Sequence, residues 1–305
     1  MSGRLLIVDG HAYAYRAFHA IRGMRSPTGE PTNAVFGFIK MLIKMRGLLS
    51  PTHFIVVWDG GLSAERVMAL PEYKAQRPEM PAELASQIDE IIGYLEAASI
   101  ASYCEEGVEA DDYIACLARC ATKADLDVVI ASSDKDFMQL VAPGIGLFNP
   151  NDKSEVIWGA EQVRNKTGVE PSQIVDWLAL VGDSVDNIPG VPGVGPKTAA
   201  DLLRQFESVD KLYRRLSEVK SDRLRAVLES SAGDVRRNLE LVRLKADLSC
   251  SFSLEELREK PADADQLAPL FRRWGFRSLL AELVGALGEK EQVRHAGQEL
   301  QAVLF

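Results

Sequence analysis

Four cysteines in 305 residues form no Cys-x-x-Cys pair, so neither a zinc ribbon nor a disulfide framework is encoded. Cys104, Cys116, Cys120 and Cys250 read instead as thiols of a reduced, cytoplasmic compartment. Cys116 and Cys120 fall four apart on an expected helix, a spacing that suits packing. Histidine is equally sparse: His11, His19, His53 and His295 show no metal-ligand spacing. No apolar run approaches the roughly 18 residues that a membrane span needs, and the first apolar run is too short for a secretory signal. Long repeats and low-complexity tracts are absent. Positive charge is in deficit, with 35 Lys and Arg against 44 Asp and Glu, a net charge of −9. Taken globally, that balance argues against a nucleic-acid partner.

The distribution of the acids changes that argument. Nine carboxylates, equal to the whole excess, sit where metal-dependent phosphodiester chemistry would need them: Asp9, Asp59, Glu109, Asp111, Asp112, Asp134, Asp136, Asp183 and Asp186. Three of them end short apolar runs, Leu5 to Asp9, Phe54 to Asp59 and Val128 to Asp134. Such runs read as buried parallel strands, and ligands of open α/β sheets bind at the carboxyl ends of strands. Carboxylates crowded there would repel one another and take up protons. Divalent cations are the natural remedy.

Strands alternate with helical patterns to about residue 150, the α/β signature, with helices expected over 34–45 and 82–98. Between them Gly60 to Pro81 is long for a connection, and it carries Arg66, Tyr73, Lys74 and Arg77. After about residue 161 helical signals dominate. Glu109-Ala-Asp-Asp112 opens a helix, where acids also favour the positive end of the helix dipole. Asp134-Lys-Asp136 follows a strand and is also readable as a helix cap with Lys135 as local partner. Its Phe137 departs from the phosphatase motif that Asp-x-Asp otherwise evokes. Gly182 to Asn187 reads as a helix end and an Asx-rich turn. The glycines at 190–195 do not make a P-loop, because Pro196 breaks the Gly-Lys pair. They suit a helix-hairpin-helix whose second helix starts near Pro196, with amides and Lys197 aimed at backbone phosphate, or a purely structural αα-hairpin.

As an ordered set, Leu6-Ile-Val-Asp-Gly-His, Tyr15-Arg-Ala-Phe-His, Pro31-Thr-Asn-Ala-Val-Phe-Gly-Phe, Tyr73-Lys-Ala-Gln-Arg-Pro, Gly107-Val-Glu-Ala-Asp-Asp, Ser133-Asp-Lys-Asp and the run Gly182 to Ala200 resemble the bacterial 5′-nuclease family. That family includes 5′-3′ exonucleases and flap endonucleases. The likeness runs from about residue 4 to about 285, and no polymerase segment follows, as in a stand-alone member. It implies a PIN-like, mostly parallel α/β sheet flanked by helices (1–170, with a helical arch at 60–82). A helical domain (171–288) would carry the helix-hairpin-helix (H3TH) motif at 186–204, followed by a tail (289–305).

By the same resemblance, Asp9, Asp59, Glu109 and Asp111 match ligands of a first metal. Asp112, Asp134, Asp136, Asp183 and Asp186 surround a second, with Asp111 and Asp134 between. Mg2+ is the expected ion, Mn2+ a substitute, and K+ an expected guest of the hairpin. Lys74 and Arg77 match arch residues that contact the scissile phosphate, and Tyr15 an aromatic that stacks on a terminal base. Arg16, Arg66, Tyr73, Gly190, Gly193, Gly195, Lys197 and Thr198 are the expected DNA contacts. Arg66 lies in a stretch, Ser63-Ala-Glu-Arg66, that departs from the Thr-Phe-Arg frequent in relatives. The implied activity is structure-specific cleavage of nicked or flapped DNA in replication and repair. The competing readings are a structure-specific ribonuclease and a non-catalytic DNA-binding module. Gln301, Leu304 and Phe305 end the chain in a pattern resembling the peptide by which replication proteins dock on the sliding clamp.

Overall fold

The computed structural model describes residues 3–149, 152, 154–248 and 252–285. Six strands form one sheet in the order β3-β2-β1-β4-β5-β6. They are β1 (Arg4–Asp9), β2 (His53–Val57), β3 (Ala101–Tyr103), β4 (Asp127–Ala131), β5 (Ile145–Phe148) and β6 (Ile157–Trp158). β1 pairs in parallel with both β2 and β4, β4 in parallel with β5, and β6 antiparallel at the edge. Leu5, Leu6, Ile7 and Val8 are fully buried, as are Ile55, Val56 and Val57 on β2. This continuous apolarity marks strands covered on both faces. It explains why the runs carry no alternation.

The helices before the hairpin are α1 (Gly10–Ala20), α2 (Asn33–Leu49), α3 (Ala64–Ala69), α4 (Ala82–Ala97), α5 (Ala110–Lys123), α6 (Ala160–Thr167) and α7 (Ile174–Val181). The expected helices 34–45 and 82–98 are thus present, the first longer by one turn. The run Val128 to Asp134 is strand only to Ala131; residues beyond it form a loop and then a 3-10 turn, Asp136–Leu140.

Contacts divide the chain into two compact units. Unit 1 holds residues 1–13, 49–79 and 102–258, and unit 2 holds residues 14–48, 80–101 and 259–305. Residue 170 lies inside unit 1. Unit 2 is helical. In it α4 packs on α12 (Ala264–Trp274), with Tyr94 stacked on Phe271 and the Trp274 indole donating to Glu90 at 3.0 Å. Buried Gln87 caps α2, its Oε1 accepting the Ala34 amide at 2.8 Å while its Nε2 donates to Asn33 at 3.1 Å.

In unit 1, α7 ends at Gly182 and leads into a two-stranded hairpin, β7 (Gly182–Asp183) and β8 (Ile188–Pro189). α8 (Pro196–Phe206) follows, starting at Pro196 as the proline predicts. α9 (Val209–Arg214), α10 (Asp222–Ser230) and α11 (Ala232–Leu241) complete the helical part, and α11 packs on α7.

Two glycines make the hairpin possible. Gly182 has φ +77°, and a Cβ on Gly190 would lie 2.1 Å from the Val181 carbonyl oxygen. Gly190→Ala is therefore expected to destabilise by ~1–3 kcal/mol, the usual cost of overpacking, and Gly182→Ala by at least as much. Gly195→Ala, with open space at its Cβ and φ −91°, should cost under ~1 kcal/mol. Thermal melts of the three variants check this; equal losses at 190 and 195 would refute the crowding.

Candidate metal centre and nucleic-acid interface

All nine predicted carboxylates lie in unit 1. Asp9 closes β1, and Asp59 follows β2 by two residues. Glu109 is the N-cap of α5, with Asp111 and Asp112 in its first turn. Asp134 and Asp136 follow β4, and Asp183 and Asp186 occupy the hairpin. The parallel register of β1, β2 and β4 brings the first and third groups to one end of the sheet. Asp136, Asp183 and Asp186 converge most closely, each offering an oxygen within 4.8 Å of the others, and all three are buried.

Each carboxylate is aimed by local bonds. The Asp9 oxygens accept the Ala12 amide at 3.1 Å and the Ser132 hydroxyl at 2.8 Å. Ser132 in turn accepts the Asp134 amide at 3.1 Å, and Asp134 accepts the Asp136 amide at 2.9 Å. The Asp-x-Asp segment thus caps its own 3-10 turn. Asp183 accepts the Val185 amide at 2.9 Å, which is the expected Asx turn, and lies 3.1 Å from the Lys135 ammonium. The Asp59 amide donates to His11 Nδ1 at 3.1 Å, so His11 is a satisfied structural histidine.

Four of the nine, Glu109, Asp112, Asp183 and Asp186, are paired with protein cations. Asp112 receives both ends of the Arg66 guanidinium, at 2.7 and 2.8 Å, and the Lys245 amide at 2.9 Å. Glu109 Oε1 accepts the Ser63 amide at 2.9 Å; Oε2 takes Lys74 Nζ at 2.5 Å and the Tyr73 hydroxyl at 3.0 Å. Lys74 is 4% exposed and lies 3.9 Å from Asp186, whose other oxygen takes Arg77 at 2.6 Å. Lys74, expected at the scissile phosphate, and Tyr73 and Arg66, expected as DNA contacts, are all three buried among carboxylates. Arg77 remains half-exposed.

Electrostatics follow from this crowding. Burial pushes the Asp9 carboxyl up to about 6, against partial relief from Ala12 and Ser132 and with Asp134 and Asp59 adding repulsion. Burial also raises Asp111, Asp134 and Asp136, each facing further carboxylates. Glu109 goes the other way, because Lys74 and Arg66 outweigh its burial. Burial pulls Lys74 down, but Asp186, Asp111 and Glu109 hold its ammonium above the ordinary value. Asp136 Oδ1 is buried without a hydrogen-bond partner. An orphaned carboxylate oxygen amid Asp183 and Asp186 is what a hard cation would satisfy, and an all-oxygen donor set fits Mg2+ or Mn2+.

In the hairpin, Gly193 (φ +79°), Gly195 and Lys197 are exposed and Thr198 is half-exposed at the start of α8. Gly190 serves the hairpin's close backbone approach. Tyr15 and Arg16 lie on α1 in unit 2, Tyr15 stacked on His19. Gln301, Leu304, Phe305 and Cys250 lie outside the described residues. Sequence reading missed Ser132, Ser63 and Lys245. Only Ser132 left a trace, two residues ahead of Asp134 at a strand end.

Comparison with known proteins agrees with this arrangement. Residues 4–168 match the 5′-3′ exonuclease N-terminal resolvase-like domain, and residues 169–265 match the 5′-3′ exonuclease C-terminal SAM fold. The 5′-3′ exonuclease of Aquifex aeolicus is 38% identical over 280 residues, covering 92% of this chain and 94% of that protein. DNA polymerase I of Bacillus subtilis is 38% identical over 291 residues, covering 95% of this chain but 33% of the polymerase. The chain thus spans about a third of the length of its polymerase relatives. Among solved structures, the bacteriophage T5 flap endonuclease in a pseudo-enzyme-product complex with DNA and metal ions superposes with TM-score 0.66. It is 22% identical, with 94% of this chain and 98% of that chain covered. The catalytic core of Rad2 with DNA substrate gives TM-score 0.60 at 16% identity, covering 92% and 93%. A mostly parallel PIN-like sheet joined to a SAM-like helical module defines a nuclease architecture. Within it, this chain belongs to the 5′-3′ exonuclease family.

The raised carboxyls fix a pH dependence. A group whose pKa rises on folding favours the folded state fully below its unfolded value, about 3.8 for Asp9, and loses that contribution as pH climbs through about 6. Glu109, lowered on folding, opposes this only at more acid pH, whereas His11 and His53, both lowered by burial, oppose it near pH 6.5 but are outnumbered by the raised carboxyls of Asp9, Asp111, Asp134 and Asp136. In chelator, the melting temperature should therefore fall between about pH 5 and about pH 8. Saturating Mg2+ should shrink the difference. A chelated protein that melts higher at the alkaline end would contradict the carboxylate crowding.

Proposed function

We propose that the chain is a structure-specific 5′-3′ exonuclease and flap endonuclease, hydrolysing DNA phosphodiester bonds with two divalent cations during replication and repair. The observation that carries the reading is the convergence of Asp136, Asp183 and Asp186 around an oxygen that no protein group satisfies. Asp134, Asp136, Asp183 and Asp186 would hold one cation, and Asp9, Asp59, Glu109 and Asp111 the other. Two such ions, when bound, supply an activated water and a counter-charge for the leaving oxygen. Asp112, expected as a ligand, has its oxygens committed to Arg66 and Lys245 and is left out.

The chain's own residues supply the rest. Lys74 and Arg77 stand in for cations among Glu109 and Asp186. With those oxygens given over to divalent ions, the two side chains would be free to neutralise charge on the scissile phosphate. Hairpin amides, Thr198 and Lys197 would grip duplex backbone without reading bases, with K+ on main-chain oxygens as a further guest. Tyr15 and Arg16 would meet the DNA end. Stacking on Tyr15 would offset ~1–3 kcal/mol of the cost of unpairing. Mg2+ is the assigned ion and Mn2+ its substitute. Among the described residues no helix is long and apolar enough to cross a membrane, and Cys104, Cys116 and Cys120 form no disulfide with one another. Both support a cytoplasmic site of action. The tail peptide 301–305 is proposed as a sliding-clamp docking segment on sequence alone.

Incubation with a 5′-labelled flap duplex tests the activity. Cleavage near the junction is expected with Mg2+ and none with chelator; cleavage that persists in chelator would exclude the cation reading. Asp136→Ala or Asp183→Ala should lower the rate by about a hundredfold or more, while the exposed Glu161→Ala leaves it unchanged. For the hairpin, Lys197→Ala should weaken duplex binding alike on all sequences and reduce the salt slope by about 0.9. An unchanged slope would return the hairpin to a structural role.

A further inference from the structure

Arg66 does not behave like a DNA contact. Its guanidinium is 4% exposed, and its donors are committed within unit 1. Nη1 and Nη2 grip Asp112 at 2.8 and 2.7 Å. Nε and Nη2 donate to the carbonyls of Leu241 and Arg243, both at 3.0 Å. Nη1 also lies 3.3 Å from Glu109 Oε1. Asp112 is closed on its other side by the Lys245 amide, and Lys245 Nζ reaches back to Glu65, the neighbour of Arg66, at 2.5 Å. Three segments meet here: α3, the first turn of α5, and residues 241–245 at and beyond the end of α11.

The two oxygens of Glu109 are thereby made unlike. Oε1 is held by the Ser63 amide and Arg66, both from the α3 end of the arch. Oε2 faces Lys74 and Tyr73. Only Oε2 has a lysine ammonium as its charged partner, beside the neutral Tyr73 hydroxyl. Arg suits the Oε1 side because its fork satisfies a carboxylate with two parallel bonds and still has donors for carbonyls. A lysine ammonium cannot reproduce that geometry.

We propose that Arg66 and Asp112 are a positioning pair, neither a phosphate contact nor a metal ligand, which locks Glu109 so that Oε2 alone is presented to a divalent cation. The inference rests on the metal reading above. Breaking the pair leaves the ligands in place but lets Glu109 and the α3 end of the arch wander, which weakens cation binding before it weakens DNA binding.

The test compares R66M, R66K, D112N and the double variant R66M/D112L, in which no buried charge is left alone. Mn2+ binding is measured by calorimetry on the full chain without DNA, and duplex binding in chelator over a salt series. R66M and R66M/D112L should bind Mn2+ about 10–100-fold more weakly, the range typical of lost supporting contacts around metal ligands. R66K should recover part of that loss. The double variant should lose no more than R66M, because the two residues act as a unit. Duplex affinity and salt slope should stay at the wild-type value. Several outcomes overturn the proposal: a salt slope lowered by about 0.9 in R66M with Mn2+ affinity intact, which marks a phosphate contact; loss of Mn2+ binding in D112N but not in R66M, which marks Asp112 as a ligand; or equal Mn2+ affinity in all variants. Wild-type protein that binds no Mn2+ overturns the metal reading and this inference together. Wild-type binding with unaffected variants overturns this inference alone.

Discussion

Repulsion among carboxylates is the constraint on which this centre depends. Parallel strands deliver Asp9 and the Asp134–Asp136 segment to one end of the sheet, and the hairpin brings Asp183 and Asp186 as buried members of the same cluster. Nothing apolar could offset that charge, and burial makes it worse. The protein answers with cations of its own. Arg66 closes on Asp112, Lys74 on Glu109, Arg77 on Asp186 and Lys135 on Asp183. Asp136 with its unbonded oxygen and the raised carboxyls of Asp9, Asp111 and Asp134 have no such cation, and on the proposed function ions from solution would neutralise them.

The four cations are not equivalent. Arg66 is tied to two main-chain carbonyls as well as to its carboxylates, so it is fixed by the fold. Lys74 and Arg77 have carboxylates as their charged partners, and Arg77 is half-exposed. On the proposed function, in which protein charge would give way to metal and then to phosphate, both kinds are needed: one that stays and one that can leave. The glycine hairpin adds a second division of labour. Its first part, 182–190, is closely packed backbone carrying Asp183 and Asp186. Its second part, 193–198, is open, with Gly193, Gly195 and Lys197 exposed.

Much of this was legible in the sequence. Continuous apolar runs ending in aspartate identified β1, β2 and β4 and the end of the sheet where chemistry gathers, because burial on both faces leaves a plain compositional trace. Pro196 marked the start of α8 to the residue. The acids were legible as a set because so many cannot be explained as caps. Arg66 was not. A basic residue in a long connection reads as exposed, and its true partners, Asp112, Leu241 and Arg243, lie 46 to 177 positions away in the chain. The same distance hid Lys245 and Ser63. Compact units that interleave three chain segments each were equally invisible, since hydrophobic periodicity is a local signal and their boundaries arise from packing.

Lys74 sits in left-handed backbone, φ +56°, and its amide donates to the Asp186 carbonyl at 3.0 Å while Asn187 Nδ2 donates back to the Glu72 carbonyl at 2.7 Å. The turn that carries Lys74 is therefore stitched to the loop that carries two of the carboxylates. Thermodynamic linkage then imposes a reciprocity. Whatever draws the Lys74 ammonium off Glu109 raises the affinity of that carboxylate for a divalent ion, and an ion bound there favours the displaced lysine by the same factor. An anionic backbone approaching the turn and a cation approaching the crevice help one another without touching. The free energy by which each assists the other is stored in one hydrogen-bonded ammonium.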